Sequence, residues 1–477
     1  MSTTLVWFTE DLRLGDNPLL RFATPPESLL CVYLLCPEQL APLNEHHGWS
    51  RMGAARRRFL WQSLIALRGE LLKRGSDLLV RVAEPVAALT ELVATHGVSE
   101  VRVRRPASQE RGDQLERLAA ALPEGVRLWP GESGTLLDEA ALPFALEALP
   151  GSFSAFRRRV EAECHIPLPR PAPFTLPPWP REASRGLPPL VEVCGRAHQW
   201  RPDPRGGFLF RGGEAAGHER LEGFCRAGGP IGRYKQTRNG LLGSDFSTRL
   251  SPWLALGCLS ARQVHRAVRD WETAEGANES SYWVIFELWW RDYFHWAARQ
   301  EGRALFGSRR LSPPSPAFDA WRQGETGLPF VDAAMRELAT TGWLSNRARQ
   351  NVASFLVKDL GVDWRLGAAW FEHALVDYEV ASNWGNWRYV AGVGRDPRGD
   401  RYFNLLRQAR HYDPRGDYVA HWLPALAALP AGLARHQPWR AAPGEFAPPR
   451  VIPGAWQDEL LPLASPASRG EERGAPG

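Results

Sequence analysis

Hydrophobic positions in the first 130 residues form short apolar runs that alternate with amphipathic helical stretches. The pattern predicts strands over 4–8, 29–35, 78–82, 100–104 and 126–129, and helices over 50–74, 85–96 and 109–122. Such alternation predicts a parallel sheet with right-handed crossovers, a Rossmann-like α/β layer. No GxGxxG motif follows the first strand, which argues against a dinucleotide site in this half of the chain.

The pattern changes twice further along the chain. From residue 133 to 213 no regular periodicity holds, and nine prolines between Pro167 and Pro189 predict an extended connector on the surface. From 214 to 429 tryptophan-rich apolar faces recur at helical spacing. We therefore predict an α/β domain over 1–132, a connector over 133–213, an all-α domain over 214–430 and a tail over 431–477. We expect the last dozen residues to be disordered, because they are rich in Pro, Ala, Gly and Glu.

The composition describes an ordinary globular chain with one unusual feature. Hydrophobic residues make up 44% and charged residues 23% of the chain, and nothing in it predicts a membrane span or a signal peptide. The six cysteines lack CxxC or zinc spacing, which favours free thiols in a reducing cytoplasm and no metal site. Only three of the 58 basic residues are lysines. Genome composition explains such a bias, but arginine forks also match phosphate geometry and so are compatible with a nucleic-acid partner.

The densest group of candidate functional residues lies between Trp343 and Tyr389. Asn346 and Arg349 are one turn apart on a predicted helix, so their side chains share a face. Arginines, carboxylates, an amide and tryptophans in one segment suit an aromatic redox cofactor better than hydrolytic chemistry. The members of this group are Asn346, Arg347, Arg349, Gln350, Trp364, Asp377, Glu379, Asn383 and Trp387.

Two earlier segments carry further candidates. The hydroxyls of the segment Ser-Thr-Arg-Leu-Ser-Pro at 247–252 precede a predicted helix over 253–259, an arrangement that suits an anion but also an ordinary helix N-cap. Glu287, Trp290 and Arg291 are spaced i, i+3 and i+4 and share a helix face. By themselves they equally describe an amphipathic helix with a buried tryptophan and a surface arginine.

Taken together, these motifs resemble those of the photolyase/cryptochrome family, and their details resemble its DASH branch. The resemblance covers about residues 3–430, and it implies an α/β domain joined by a long connector to an all-α FAD-binding domain. Tyr234 and the 247–251 segment resemble the family's motif for the phosphates and adenine of FAD. The residues that the resemblance assigns to FAD are Tyr234, Ser247, Thr248, Arg249, Leu250, Ser251, Asn346, Arg349, Asp377, Glu379 and Asn383.

The resemblance also implies specific roles around the flavin ring. Arg349 and Asp377 resemble the family's buried ion pair beside the isoalloxazine. Asn383 occupies the position that faces flavin N5, where an amide, as in photolyases, favours reduced flavin. Glu379 departs from the family's usual aspartate, and its extra methylene is expected to shift the carboxylate relative to flavin N3.

A DNA substrate is implied by the same resemblance. In related photolyases the counterpart of Glu287 hydrogen-bonds the damaged bases, and that of Trp290 stacks on a flipped-out cyclobutane pyrimidine dimer. Gln350 and Tyr389 replace the Met and Trp of dimer photolyases and match the DASH branch, and this more polar pocket predicts a preference for single-stranded DNA. The implied substrate-binding residues are Glu287, Trp290, Arg291, Asn346, Arg347, Gln350 and Tyr389, with Arg291 and Arg347 on phosphates.

The resemblance also implies a chain of residues that supplies electrons to the flavin and a site for an antenna. Trp387 and Trp364 match the first two tryptophans of the family's chain that reduces photoexcited flavin. The third is expected near Leu311 and is missing, so either another aromatic such as Trp321 replaces it or photoreduction is impaired. Gln109-Glu110 stands where a polar–acidic pair binds a methenyltetrahydrofolate antenna, although a charged first turn is common in helices without one.

Two functions are therefore open at the level of sequence. The first is a light-driven lyase that repairs dimers, with Glu287, Asn383, Trp387 and Trp364 as the catalytic residues and a cytoplasmic monomer as the working form. The second is a blue-light photoreceptor that binds nucleic acid without repairing it. Asn383 and the Glu287–Trp290 pair favour the lyase, whereas Glu379 and the missing third tryptophan count against it.

Overall fold

The strands of the N-terminal domain form a parallel five-stranded sheet and a short antiparallel pair, in a computed structural model that describes residues 2–44, 46–195, 199–307, 311–395 and 402–463. The strands are β1 (Thr3–Phe8), β2 (Ser28–Leu35), β3 (Pro42–Asn44), β4 (His47–Ser50), β5 (Leu79–Val82), β6 (Val98–Arg104) and β7 (Arg127–Gly131). The large sheet has the order β5-β2-β1-β6-β7, and β3 pairs with β4. Continuous burial along β1 and almost all of β2 is what a parallel sheet covered on both faces requires. The predicted Rossmann-like layer is confirmed.

Helices cover this sheet and then make up the rest of the chain. They are α1 (Pro37–Leu40), α2 (Ala54–Leu72), α3 (Pro85–His96), α4 (Gln109–Ala121), α5 (Phe153–Glu163), α6 (Leu190–Cys194), α7 (Glu214–Cys225), α8 (Tyr234–Thr237), α9 (Ser251–Ala255), α10 (Ala261–Glu275), α11 (Glu279–Glu301), α12 (Pro316–Gln323), α13 (Pro329–Thr341), α14 (Asn346–Ser354), α15 (Trp364–Ala374), α16 (Val380–Ala391), α17 (Leu405–Tyr412), α18 (Asp417–Trp422), α19 (Leu433–His436) and α20 (Pro438–Ala441). A π-helical turn, Phe355–Asp359, continues α14. The predicted all-α domain is confirmed.

The predicted connector over 133–213 contains a helix that the sequence pattern did not reveal. In α5 the buried residues Phe153, Phe156 and Val160 recur at helical spacing, but three consecutive arginines between them hide the period. This helix packs on α11 and brings Phe153 into stacking contact with Trp290, at 3.7 Å between ring centroids. Part of the connector is therefore an element of the helical domain.

The proline-rich part of the connector lies along one edge of the sheet and is held there by backbone hydrogen bonds. Leu176 N–H donates to Arg74 C=O (2.9 Å), and Val80 N–H donates to Gly186 C=O (2.8 Å). Phe174, by contrast, is 96% exposed. Here the extended surface course expected from the prolines is what the chain adopts, and β5 gains a backbone neighbour beyond the sheet.

The two domains meet at a buried arginine and a glycine. Arg13 is 1% exposed, and its guanidinium donates to Gly257 C=O (3.0 Å), Asp16 C=O (2.9 Å) and Ser133 Oγ (2.7 Å). Gly257 has φ +67°, and a Cβ there would lie 2.1 Å from the Glu10 carbonyl oxygen. Only glycine permits this approach of the two backbones. The turn at Gly257 also ends the predicted 253–259 helix early, so that α9 stops at Ala255.

The segment that follows the boundary predicted at residue 430 packs into the helical core. Trp439 is 7% exposed and Trp456 is fully buried, in the same cluster as Phe355 and Trp422. Trp456 Nε1–H also donates to Tyr402 Oη (2.7 Å). The enrichment of this segment in proline and glycine predicted a loosely packed tail, and the sequence pattern therefore did not indicate that Trp439 and Trp456 are buried. The dozen residues expected to be disordered at the end of the chain lie outside the described residues.

Within the described part of the chain, no helix is both long and apolar enough to cross a membrane.

We predict that Trp456→Ala lowers the free energy of unfolding by about 3–5 kcal/mol, since it removes a fully buried indole and leaves a cavity. Urea denaturation followed by circular dichroism measures this change. Leu463→Ala is the matched control, because Leu463 is 62% exposed and its loss should change stability by less than about 0.5 kcal/mol. Equal, small effects of both substitutions would contradict the packing of this segment.

Candidate active site

Two adjoining cavities open in the helical domain where α8, α11, α14 and α16 converge. The inner cavity has a volume of about 240 Å³ and the outer one about 830 Å³. Residues that line both are Tyr234, Arg238, Thr248, Ser251, Glu287, Asn346, Arg349, Gln350, Asp377, Glu379, Ser382 and Asn386. Because the two cavities share this wall, a ligand in the inner cavity can touch one in the outer cavity.

The structure brings most of the predicted residues to these cavities. The inner cavity adds Ser247, Arg249, Asn383 and Trp387, and the outer cavity adds Leu250, Trp290, Arg291, Arg347 and Tyr389. Trp364, Gln109 and Glu110 line neither. Residues separated by more than 150 positions in the chain therefore form one continuous site.

An ion pair crosses the floor of the inner cavity. Arg349 Nη2 donates to Asp377 Oδ2 (2.7 Å), and Arg349 Nε donates to Leu344 C=O (3.0 Å). The Asp377 side chain is 2% exposed. Its second oxygen, Oδ1, and the Ser247 hydroxyl are buried and have no hydrogen-bond partner among the described residues. An unpaired buried acceptor costs about 1–3 kcal/mol, so a polar heteroaromatic ligand such as a flavin fits this cavity well.

Asn383 and Trp387 form the opposite wall on one face of α16. Asn383 Nδ2 donates to Ala368 C=O (3.0 Å), which leaves its amide oxygen available to a ligand in the cavity. Trp387 is 2% exposed. A Cβ at Gly367 would lie 2.2 Å from Trp387 Cη2, so glycine at this position makes room for the indole. The two side chains are thereby held in place by α15.

Arg249 holds the 247–251 segment in a strained turn. The residue has φ +54°, which is unfavourable for a side chain with a Cβ. Its guanidinium is buried over the Trp343 ring (4.2 Å to the centroid) and donates to Gly243 C=O (2.6 Å). Burial lowers the pKa of Arg249 to about 10. The side chain is thus an internal brace that also lines the inner cavity, and a role of Arg249 in cofactor binding stays a prediction.

Glu287 and Trp290 face the outer cavity from α11. Burial raises the pKa of Glu287, while the nearby Arg238, whose Nη1 donates to the carboxylate, opposes this shift. Trp290 has Phe153 stacked on one face and Tyr389 in edge contact at 6.2 Å. Phe294 is also stacked against it at 5.6 Å, so the ring is fixed at the wall of the outer cavity. Arg238 lines both cavities, and sequence reasoning missed it although it lies close to Tyr234.

The two arginines predicted to contact phosphates have different surroundings. Arg347 lies at the rim over the Tyr412 ring (4.5 Å) and donates to Gln350 Oε1 and Asn239 Oδ1, both at 3.0 Å. This position is compatible with a phosphate contact. Arg291 lines the outer cavity but its side chain is only 12% exposed, and a phosphate contact for it stays a prediction.

Arg291 is the partner of Glu379, the residue that departs from the family pattern. Arg291 Nη2 donates to Glu379 Oε1 (3.0 Å) and also to Leu254 C=O (3.3 Å). Ser382 Oγ donates to the other carboxylate oxygen (2.5 Å). The longer side chain of glutamate thus reaches a buried cation on α11, and Glu379 lines both cavities next to Asp377.

Glu110 lines a third cavity, between the two domains, whereas Gln109 does not. A crevice of about 120 Å³ at the carboxyl ends of β1 and β6 is lined by Thr9, Glu10, Arg51, Glu110 and Tyr378 among others. In α/β sheets ligands bind at such a crevice. Glu110 is held by two hydrogen bonds from Arg51 (2.7 and 2.9 Å), and Gln109 Nε2 donates to Asp113 Oδ1 (2.8 Å).

Comparison with known proteins agrees with this geometry. Residues 4–173 match the family described as DNA photolyase, and residues 283–452 match the FAD binding domain of DNA photolyase. Cryptochrome DASH of Gloeobacter violaceus is 45% identical over 452 residues, which cover 93% of this chain and 89% of that protein. The chain belongs to the photolyase/cryptochrome family, in its cryptochrome DASH branch.

Further relatives in this family agree in sequence and in fold. Cryptochrome DASH of Synechocystis sp. is 42% identical over 92% of this chain and 90% of that protein. The crystal structure of a Synechocystis cryptochrome matches with a TM-score of 0.88 at 39% identity, covering 95% of this chain and 97% of that one. A class III photolyase from Agrobacterium tumefaciens matches with a TM-score of 0.80 at 26% identity, over 95% of both chains. The second domain is therefore the family's FAD-binding domain, as the sequence predicted.

We predict that Glu379→Gln destabilises the protein by about 3 kcal/mol, because it leaves the Arg291 guanidinium buried without its anionic partner. The double variant Arg291→Met/Glu379→Gln should recover a large part of this loss, since it removes the buried charge as well. Urea denaturation of the single and double variants measures both effects. A single variant as stable as the wild type would show that the pair carries no net energy.

Proposed function

We propose that the protein is a blue-light-dependent lyase that splits cyclobutane pyrimidine dimers, preferentially in single-stranded DNA. The observation that carries this proposal is the wall shared by the two cavities. Trp290 and Glu287 offer a stacking ring and a carboxyl group in an outer cavity that opens onto the inner one. A base that has left its stack would there lie next to the family's flavin position.

A bound reduced FAD would supply the redox chemistry, namely light-driven transfer of one electron to the dimer and its return after the two cyclobutane carbon–carbon bonds have broken. The protein side chains bind and orient the reactants. Because burial raises the pKa of Glu287, a larger fraction of this carboxyl is protonated than in water, and it can donate a hydrogen bond to a pyrimidine carbonyl. Arg349 and Asp377 would orient the flavin ring, and Asn383 offers its amide oxygen near N5.

The preference for single strands rests on the polarity of the outer cavity. Gln350 accepts a hydrogen bond from Arg347, and Tyr389 contributes a smaller ring than tryptophan would. Such a wall stabilises an extruded dimer less than an apolar one does, so the energy needed to break duplex pairing is not recovered. A single strand requires no such step.

A photoreceptor without repair activity is the alternative. Glu379 favours the photoreceptor. It replaces the family's aspartate, and its carboxylate pairs with Arg291, which changes the charge arrangement beside the flavin position. The two functions differ in whether a bound dimer is split, and direct measurement of repair distinguishes them.

We also propose that methenyltetrahydrofolate serves as the antenna at the crevice between the domains. The support is the position of Glu110, whose carboxylate lines that crevice and could accept hydrogen bonds from a pterin ring. Arg51 already binds this carboxylate, so the folate would have to share it.

The working form is further proposed to be a monomer in the reducing cytoplasm. All six cysteines are free thiols, and four of them are buried. This state suits a reducing compartment.

The first test of the lyase is blue-light repair of a thymine-dimer oligonucleotide by the chemically reduced protein, with single-stranded and duplex substrates in parallel. We expect efficient repair of the single strand and much less of the duplex. Binding of the dimer in the dark with no repair of either substrate would support the photoreceptor instead.

Trp290→Ala should weaken binding of the single-stranded dimer by about 5–150-fold, which corresponds to the 1–3 kcal/mol of one aromatic–base stack. Fluorescence anisotropy in the dark measures this affinity. Trp439→Phe is the matched control, because Trp439 is buried in the same domain away from both cavities. Unchanged affinity of the Trp290 variant would contradict the stacking role.

Glu110→Gln should reduce the amount of folate that copurifies with the protein, because an amide is a weaker acceptor than the carboxylate. Folate fluorescence after denaturation measures the content. Glu124→Gln, at an exposed position of the same domain, should change nothing. Equal folate in both variants would place the antenna elsewhere.

A further inference from the structure

A series of aromatic rings leads from the inner cavity towards the surface by a route that avoids both Trp364 and position 311. Trp387, at the cavity wall, lies 6.1 Å from Trp321 between ring centroids, with the planes at 78°. Phe318 lies 5.8 Å from Trp321 and 5.8 Å from Trp49. Each ring in this series touches the next.

The series reaches solvent at Trp370. Trp49 and Trp370 are in edge contact, with their centroids 5.3 Å apart and the planes at 89°. Trp49 is 7% exposed, whereas Trp370 is half-buried. Arg322 lies over both rings, at 5.6 Å from Trp49 and 5.4 Å from Trp370. The outer end of the route is therefore a tryptophan with access to water and a fixed cation beside it.

The route through Trp364 differs at its inner end, because no ring contact joins Trp364 to Trp387 among the described residues, although Trp364 is half-buried like Trp370. The ring contact of Trp364 is with Trp384, at 5.8 Å, and Trp384 in turn contacts Phe306 at 5.1 Å. Position 311 is leucine, whose aliphatic side chain cannot be oxidised by an indole radical. Phenyl rings are harder to oxidise than indoles, so a positive charge on Trp384 would not be passed on to Phe306.

We propose that Trp321, Trp49 and Trp370 form an electron relay that reduces oxidised flavin in the light, with Trp387 as its inner member. This inference rests on the proposed function only in placing FAD in the inner cavity. It assigns the role of the missing third tryptophan to a different branch, which begins at Trp321 and ends at Trp370.

One electron leaves Trp387 for photoexcited oxidised flavin, and the positive charge moves to Trp321, then across Phe318 to Trp49, and on to Trp370. Phe318 acts as a bridge, because its ring is harder to oxidise than an indole. At Trp370 the indole proton passes to water, and a thiol in solution returns one electron to the neutral radical, which takes a proton back from water.

The surroundings of the rings act on the charge in both directions. Arg322, which lies over Trp49 and Trp370, disfavours a positive charge on either ring, and its ion pair with Asp319 (2.7 Å) offsets this effect. Trp321 Nε1–H donates to Val352 C=O (2.9 Å), an acceptor that stabilises a passing positive charge. Trp370 has water to accept its proton, and the Arg322 charge favours proton loss there by repelling a radical cation. His373, which contacts the Trp370 ring, adds no charge at neutral pH because burial lowers its pKa to about 4.

The test compares light-driven reduction of oxidised FAD in Trp321→Phe, Trp49→Phe, Trp370→Phe, Trp364→Phe and wild-type protein, with dithiothreitol as the thiol. Flavin absorbance follows the rate, and transient absorption follows the neutral tryptophan radical. We expect a several-fold lower rate and loss of the long-lived radical in the first three variants. Trp439→Phe, in the same core but off the route, should match the wild type. Wild-type rates and radical lifetimes in the Trp49 and Trp370 variants would overturn the proposal.

A second measurement does not depend on flavin turnover. When the thiol is replaced by dissolved oxygen, a neutral radical at Trp370 should add oxygen, and mass spectrometry of peptides after illumination should find the product at that residue. Trp321→Phe should lower its yield, because the charge no longer reaches the surface. Equal oxidation of Trp370 in both proteins would overturn the relay. Repair by chemically reduced wild-type protein is measured separately, so failure of the lyase does not obscure the result.

Discussion

Buried guanidinium groups must find hydrogen-bond acceptors, and this requirement organises the parts of the protein around the active site. Arg13 bonds to the turn at Gly257 and so joins the two domains, while Arg249 bonds to the Gly243 carbonyl and holds the strained 247–251 segment. An unbonded buried charge would cost several kcal/mol, so these loops have little freedom to move. Some of the arginines in the chain thus serve as internal braces.

The same requirement shapes the two cavities. Arg349 and Arg291 pair with Asp377 and Glu379, which stand on either side of a single residue at the start of α16. One end of this helix is thereby fixed to α14 and α11 together, and its Asn383 and Trp387 face the inner cavity. The cavity wall is rigid because charge pairing and aromatic packing act on the same helix. Such preorganisation suits a site where an electron must move between fixed rings.

Glu379, which stands where the family has aspartate, shows how one substitution changes these ion pairs. From the sequence, its extra methylene predicted a shifted carboxylate near the flavin. The structure shows what that carboxylate binds, namely Arg291 on α11 and the Ser382 hydroxyl. An arginine predicted to contact DNA phosphates is therefore held by an ion pair at the wall of the outer cavity, which Arg347 and Arg238 also line.

Much of the fold was predictable, because local periodicity and the long motifs in the helical domain survive in the sequence. The parallel sheet, the all-α domain and many of the residues that line the two cavities follow from such signals. Trp456 and α5 were missed because proline, glycine and arginine obscured their patterns. The role of Arg249, the partner of Arg291 and the ring series from Trp387 to Trp370 depend on contacts between residues far apart in the chain. The sequence by itself determined which chemical groups are present and on which elements they lie. Only the tertiary structure decided which of those groups meet. Ion pairs and ring contacts arise from packing between elements that are distant in the sequence, and the sequence pattern of each element does not indicate its partner.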